Sequence, residues 1–107
     1  MIFIKSNRDF QDILKSHRKF EGQIFNIFWQ RGHNYKFEVG IIVGKKIGKA
    51  VIRNKIKRRI KSFLRENKNL WLENSRILIS AKRGAAKANW SMIKKDLTIL
   101  IDKILSK

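Results

Sequence analysis

Two hydrophobic periods divide this chain, one near 3.6 residues and one of two. The 3.6-residue period is strongest from about Lys49 to Asn67, where Ile52, Ile56, Ile60 and Phe63 form one stripe with Leu64 at its edge. Asn54, Lys57, Arg58, Lys61 and Arg65 fall on the opposite side. It returns from Asn89, a capping residue, through Ile93, Leu97, Leu100, Ile101 and Ile104, a pattern that reads as a core helix. Trp90 and Met92 in its first turn suit packing. A shorter helix is expected near the start, capped by Ser6 or Asn7, with Asp9 in its first turn and Phe10, Ile13, Leu14 and His17 on one side.

The two-residue period fills the segment between the first two helices. Gly22 interrupts it, so a very short strand around Arg18–Phe20 precedes a longer one over Gln23–Gln30. In the longer strand Phe25, Ile27 and Trp29 share a core face, while Ile24, Asn26, Phe28 and Gln30 share a mixed one. After a turn at Arg31–Asn34, Tyr35, Phe37, Val39, Ile41 and Val43 alternate with Lys36, Glu38, Gly40 and Ile42. Two such runs across a short turn predict an antiparallel hairpin. Leu70, Trp71 and Leu72 are expected to pack the end of the basic helix, Glu73–Ser75 to turn, and Arg76–Ala81 to form a short strand. Strand, long helix and strand make a crossover unit, so Tyr35–Val43 and Arg76–Ala81 are expected to run parallel.

Charge changes the reading of the middle helix. The stretch from Gly44 to Asn67 carries ten Lys and Arg, and its one acid is Glu66. Charged helix faces ordinarily mix signs to gain i,i+4 pairs, so this one sustains a repulsion that a polyanion would relieve. The whole chain repeats the bias, with 26 Lys and Arg against 8 Asp and Glu and a net charge of +18. A polyphosphate partner fits that excess through counterion release; an anionic membrane surface is the competing partner.

Length and composition narrow the class further. With 107 residues, 43% of them hydrophobic, residues 1–107 are expected to form one domain around one core. The absence of cysteine excludes disulfides, thiolate zinc sites and cysteine nucleophiles. No apolar run approaches a membrane span, and MIFIKSNRDF turns polar too soon for a signal peptide, so a cytoplasmic location is expected. GKKIGKAV has neither the spacing nor the hydroxyl of a nucleotide-binding P-loop, and it is not a KH-type G-x-x-G clamp. The scattered acids and the two histidines, His17 and His33, suggest neither a metal centre nor a catalytic triad, and the chain reads as a binder.

The ordered stretch VGIIVGKKIGKAVIRNKIKRRIKSFLRE, Val39 to Glu66, closely resembles the core of the bacterial ribonuclease P protein family. That family's pattern, K-K-x-G-x-A-V-x-R-N-R-x-K-R, is matched by Lys45, Lys46, Gly48, Ala50, Val51, Arg53, Asn54, Lys57 and Arg58. NRDFQDIL and ILISAKRGAA extend the likeness over nearly the whole chain. The resemblance implies an α+β fold, a two-layer αβββαβα domain with a mixed four-stranded sheet and a left-handed βαβ crossover. That fold is similar to the second domain of a small-subunit ribosomal protein and to a domain of elongation factor G.

It further implies a subunit of an endoribonuclease whose chemistry resides in its RNA. The holoenzyme would remove the 5′ leader of precursor tRNA with Mg2+ held through the RNA, the protein alone being non-catalytic. One protein would bind one catalytic RNA through Lys45, Lys46, Lys49, Arg53, Asn54, Lys55, Lys57, Arg58 and Lys61. A cleft bearing Phe10, Leu14 and Phe28 would hold the unpaired leader by stacking. No membrane and no small-molecule substrate is expected. Lys55 departs from the pattern's second arginine and so lacks its planar fork; Leu14 stands where an aromatic is common. The alternative reading is a ribosomal-type protein or general RNA chaperone of the same fold; a membrane-active basic protein is a third class.

Overall fold

The computed structural model describes residues 1–15, 18–32 and 36–106. His17, His33, Asn34 and Tyr35, used in the expectations above, lie outside them. Eight main elements follow in order: β1 (Ile2–Phe3), α1 (Asn7–Leu14), β2 (Lys19–Glu21), β3 (Phe25–Arg31), β4 (Glu38–Ile42), α2 (Ala50–Glu66), β5 (Ser75–Ala81) and α3 (Trp90–Leu105). Single 3-10 turns lie at Lys45–Ile47, Lys68–Leu70 and Arg83–Lys87. The domain is therefore α+β with three α-helices, as expected, but its mixed sheet has five strands rather than four, in the order β1-β4-β5-β3-β2. The extra strand, β1, is only two residues long and pairs parallel with β4 through Ile2–Glu38 and Phe3–Val39.

The expected β3–β4 hairpin does not form, because β5 inserts between these strands. It pairs antiparallel with β3 from Phe25–Ala81 to Arg31–Ser75, and parallel with β4, as the crossover unit required. Ile77, Leu78 and Ile79 are all fully buried, which marks a strand covered on both faces.

The two faces carry different layers. On one, α2 and α3 lie over Phe25, Ile27, Trp29, Val39, Ile77 and Ile79, which join Ile56, Ile60, Phe63, Leu64, Ile93, Leu97, Leu100, Ile101 and Ile104 in the main core. On the other, α1 buries Ile13 against Ile4 and Leu78, with Phe10, Phe28 and Ile42 packed around them. Val39 fixes the hand of the crossover. Its side chain faces α2, and its carbonyl accepts at 2.8 Å from the N–H of Ile4, the residue that follows β1. An L-residue in a strand running upward, side chain towards the viewer, points its carbonyl right. From the α2 side β1 thus lies right of β4 and β5 lies left. A chain that rises in β4, returns through α2 and rises in β5 advances leftward, against the usual right-handed preference.

The α2 stripe differs in one position from the periodic reading. Leu64 is fully buried, whereas Ile52 is 37% exposed and rests on the Gly48 turn, which has no side chain to cover it. At the helix end Trp71 Nε1 donates to Leu64 O at 2.7 Å, in the last turn where carbonyls lose their helical partners, and Asn67 Nδ2 donates at 2.8 Å to Phe63 O, which also accepts from Asn67 N. Met92, expected to pack, is instead exposed.

Candidate nucleic-acid interface

The basic surface begins where β4 ends. Gly44 opens the 3-10 turn carrying Lys45 and Lys46, both exposed, while Ile47 between them and the helix is buried. Gly48 then takes φ 158° and ψ −168°, a region almost closed to residues with a Cβ. That bend swings the chain into α2, with exposed Lys49 as N-cap and no side-chain hydrogen bond there. Arg53 reaches back and donates through Nε to Gly48 O at 3.1 Å, so it locks the turn to the helix.

Along α2 the cations divide between the exposed crest and two flanks. Asn54, Lys55, Arg58 and Arg65 are exposed. Lys57 and Lys61 are half-buried on the flank towards β1, and the Phe3 ring lies 5.2 Å from Lys61 Nζ and 5.7 Å from the Arg65 guanidinium carbon. Each such pair draws a cation to an aromatic face and holds its stem in place. Arg59, on the other flank, donates through Nη1 to Ala88 O at 3.4 Å. Val51 is 77% exposed amid this charge, so its place in the motif is not explained by packing within the chain.

Of the nine basic-face positions expected, the structure puts six in the open at the turn or crest. Arg53, Lys57 and Lys61 are half-buried beside them. Among the described residues the ion pairs are Lys19–Glu21 and those of Arg76, so α2 carries its charge without acidic compensation.

A second surface lies on the opposite face of the sheet. Phe10 from α1 and Phe28 from β3 are half-buried beside Leu78 and Ile42, and the Phe10 ring lies directly on Gly40. Glycine there lets a helix side chain meet the strand backbone. Lys19 Nζ stands 5.8 Å from the Phe28 ring, adding a cation to that edge. Leu14, the last residue of α1, is exposed. The cleft thus brings Phe10 and Phe28 to one apolar floor and leaves Leu14 at the helix end.

Two residues that sequence reasoning passed over hold these surfaces in place. Arg76 of β5 is buried, and it pairs with Asp9 Oδ1 of α1 at 2.7 Å and Glu38 Oε1 of β4 at 3.7 Å. Asp9 therefore does more than compensate a helix dipole; it ties α1 to the sheet. Asp96, on the apolar side of α3, accepts from Gln23 N, Ile24 N and Phe25 N at 3.1, 3.0 and 2.9 Å. Gly22 leaves room for it, since a Cβ there would stand 2.6 Å from Asp96 Oδ2. An acid at a core position of an apolar helix, opposite a glycine turn, was the signal available. The hollow around it, about 540 Å³ and lined by Met92, Lys95, Ile99 and Lys103, has its carboxylate committed to backbone amides.

These commitments bear on metal binding. Asp9 and Glu38 face Arg76 and Asp96 faces three N–H groups, and among the described residues no cluster of three or more His, Cys, Asp or Glu side chains could hold an ion. Nor is any helix, among the described residues, long and apolar enough to cross a membrane.

Comparison with known proteins identifies the fold and the family. The Ribonuclease P family model matches residues 2–105. The ribonuclease P protein component of Mycoplasma mycoides subsp. mycoides SC is 34% identical over 102 residues, covering 94% of each chain. The solved Staphylococcus aureus RNase P protein superposes with a TM-score of 0.89 at 30% identity, over 97% of this chain and 95% of that one. The Thermotoga maritima RNase P protein shares the fold at 22% identity, with a TM-score of 0.86 over 96% and 97%. A motif in order, a fold in register and relatives matched end to end lead to one conclusion: the chain belongs to the ribonuclease P protein family.

Proposed function

We propose that this chain is the RNA-binding subunit of a ribonuclease P, which with its catalytic RNA cuts the 5′ leader from precursor tRNA. The observation that carries the reading is the separation of two unlike surfaces by one sheet. The α2 face offers cations in a polar setting, suited to the phosphates of a folded RNA. The α1 face offers two half-buried rings on an apolar floor, suited to unpaired bases. A molecule so built joins two strands at once, catalytic RNA on Lys45, Lys46, Lys49, Arg53, Asn54, Lys55, Lys57, Arg58 and Lys61, and leader on Phe10 and Phe28. Leu14 extends the leader surface by apolar contact at the end of α1.

The protein's part is positioning. It neutralises phosphates where two polyanions must approach, and it holds the leader in a fixed path relative to the cleavage point. Hydrolysis would belong to the RNA, with the magnesium ions held through it. Cellular location would then be that of the RNA partner, the cytoplasm.

Reconstitution tests the assignment. The purified chain alone should leave precursor tRNA uncut, and adding it to a bacterial ribonuclease P RNA at low magnesium should restore cleavage at the mature 5′ end. RNA binding without any gain in cleavage would instead favour a general RNA chaperone of this fold. A membrane-active role is disfavoured by α2 itself, whose apolar residues Ile56, Ile60, Phe63 and Leu64 are buried in the core.

A further inference from the structure

The flank of α2 that faces α3 carries a hollow that adjoins the basic surface and shares Lys55 and Arg58 with it. It measures about 470 Å³ and is lined by Lys55, Arg58, Arg59, Ser62 and Glu66 of α2 and by Trp90, the first residue of α3. The lining positions recur at i, i+3, i+4, i+7 and i+11, so they form one ridge of the helix. That ridge is graded: two exposed cations at one end, a hydroxyl in the middle and a carboxylate at the other. Arg59 belongs to the wall, because its guanidinium is bonded to Ala88 O and so fastens α2 to the segment leading into α3.

Trp90 is half-buried and packs against the core by part of its indole, with Lys94 Nζ 5.3 Å from the ring centroid. An aromatic ring bordered by cations is poorly suited to an apolar ligand and well suited to a nucleotide. A base can stack on the indole, while cations meet the phosphate attached to it. The carboxylate of Glu66 would repel a phosphate at its own end and accept hydrogen bonds from base N–H groups instead. The gradient therefore gives a bound nucleotide a direction along α2.

The geometry points to a third RNA contact: an unpaired nucleotide seated between α2 and the start of α3, its base on Trp90 and its phosphate between Lys55 and Arg58. This deepens the proposed function, since it rests on α2 meeting RNA, and it adds a site that reads an unstacked base beside one that holds phosphates. Lys94, drawn to the ring in the free protein, gives up that face to the base.

Photocrosslinking of the unsubstituted full chain locates the contact directly. A short unpaired RNA strand carrying iodouridine is irradiated with the protein and the adduct is mapped by mass spectrometry. An adduct on Trp90 that a duplex of the same sequence fails to give is the expected result. Adducts confined to Phe10 and Phe28 would overturn the site. Affinity provides the second arm. Trp90→Leu should weaken binding of the unpaired strand about tenfold at unchanged salt dependence, because stacking releases no counterions. Trp90→Phe should restore most of that loss, whereas equal affinity of the Leu variant and the parent would overturn the proposal. Rescue of precursor tRNA cleavage by the unsubstituted chain is measured in parallel. Intact rescue without a Trp90 adduct sinks the third contact alone, and absent rescue sinks the reading beneath it.

Discussion

Three backbone N–H groups on one carboxylate, two of them buried, make Asp96 the residue with most to lose by a small change. Asn in its place keeps the shape but offers a single acceptor oxygen and turns an NH2 towards the backbone donors. Asp96→Asn should lower unfolding free energy by about 2–4 kcal/mol, read from denaturant titration. An unchanged midpoint would mean that water takes over the amides. Gly40 tests the other face. A Cβ there would stand 2.9 Å from Phe10 Cδ1 and from Leu78 Cδ1, inside ordinary contact, and both belong to packed elements. Gly40→Ala should cost about 1–3 kcal/mol by overpacking. By displacing the Phe10 ring it should also weaken precursors with long leaders more than leaderless tRNA. Equal weakening of the two would assign Phe10 to the core alone.

At the level of elements, α2 makes a sharper claim than a basic helix in general, because its arginines differ in what they already bind. Arg58 is exposed, whereas Arg59 is bonded to Ala88 O. Arg58→Ala should therefore reduce the slope of log affinity against log salt by about 0.7–0.9, the range for one lost phosphate contact on single strands and on duplex DNA. Arg59→Ala should leave the slope nearly intact and lower the melting temperature instead. Matching slopes for the two variants would contradict the division between crest and wall.

The helices could be read from their periods, since Ile56, Ile60 and Phe63, and Ile93 through Ile104, are buried as spaced. The ordered motif carried the candidate interface further than charge could. Sheet order was less legible: a short turn favours neighbours in sequence, but β3 and β4 are each paired with a strand made more than thirty residues later. The unbroken apolar run at Ile77–Ile79 was the available sign of a central strand, and it was read as alternation. Arg76 and Asp96 act on partners far along the chain, which no local pattern encodes.

For the whole molecule the governing quantity is charge over size. The fold measures 37 × 27 × 22 Å and carries +18. At 0.01 M salt the screening length of roughly 30 Å is comparable to these dimensions, and at 0.15 M the length of roughly 8 Å falls well short of them. Like charges on opposite sides then cease to repel, so melting temperature should rise with salt over this interval. Each kcal/mol relieved should add roughly 4–8 °C. A fall in melting temperature would show that attractive pairs, such as Arg76 with Asp9, outweigh the repulsion.

The place of β5 in the sheet also sets an order of events during synthesis. Until Ser75–Ala81 has been made, β3 and β4 each present an open edge to the space that strand will occupy, and the left-handed loop through α2 has nothing to return to. The basic helix is thus translated before the sheet that anchors it can close. A chain ending at residue 70 should show no cooperative unfolding and should pair or aggregate through those edges. Maturation of the protein is accordingly a single late step, completed from the C-terminal side.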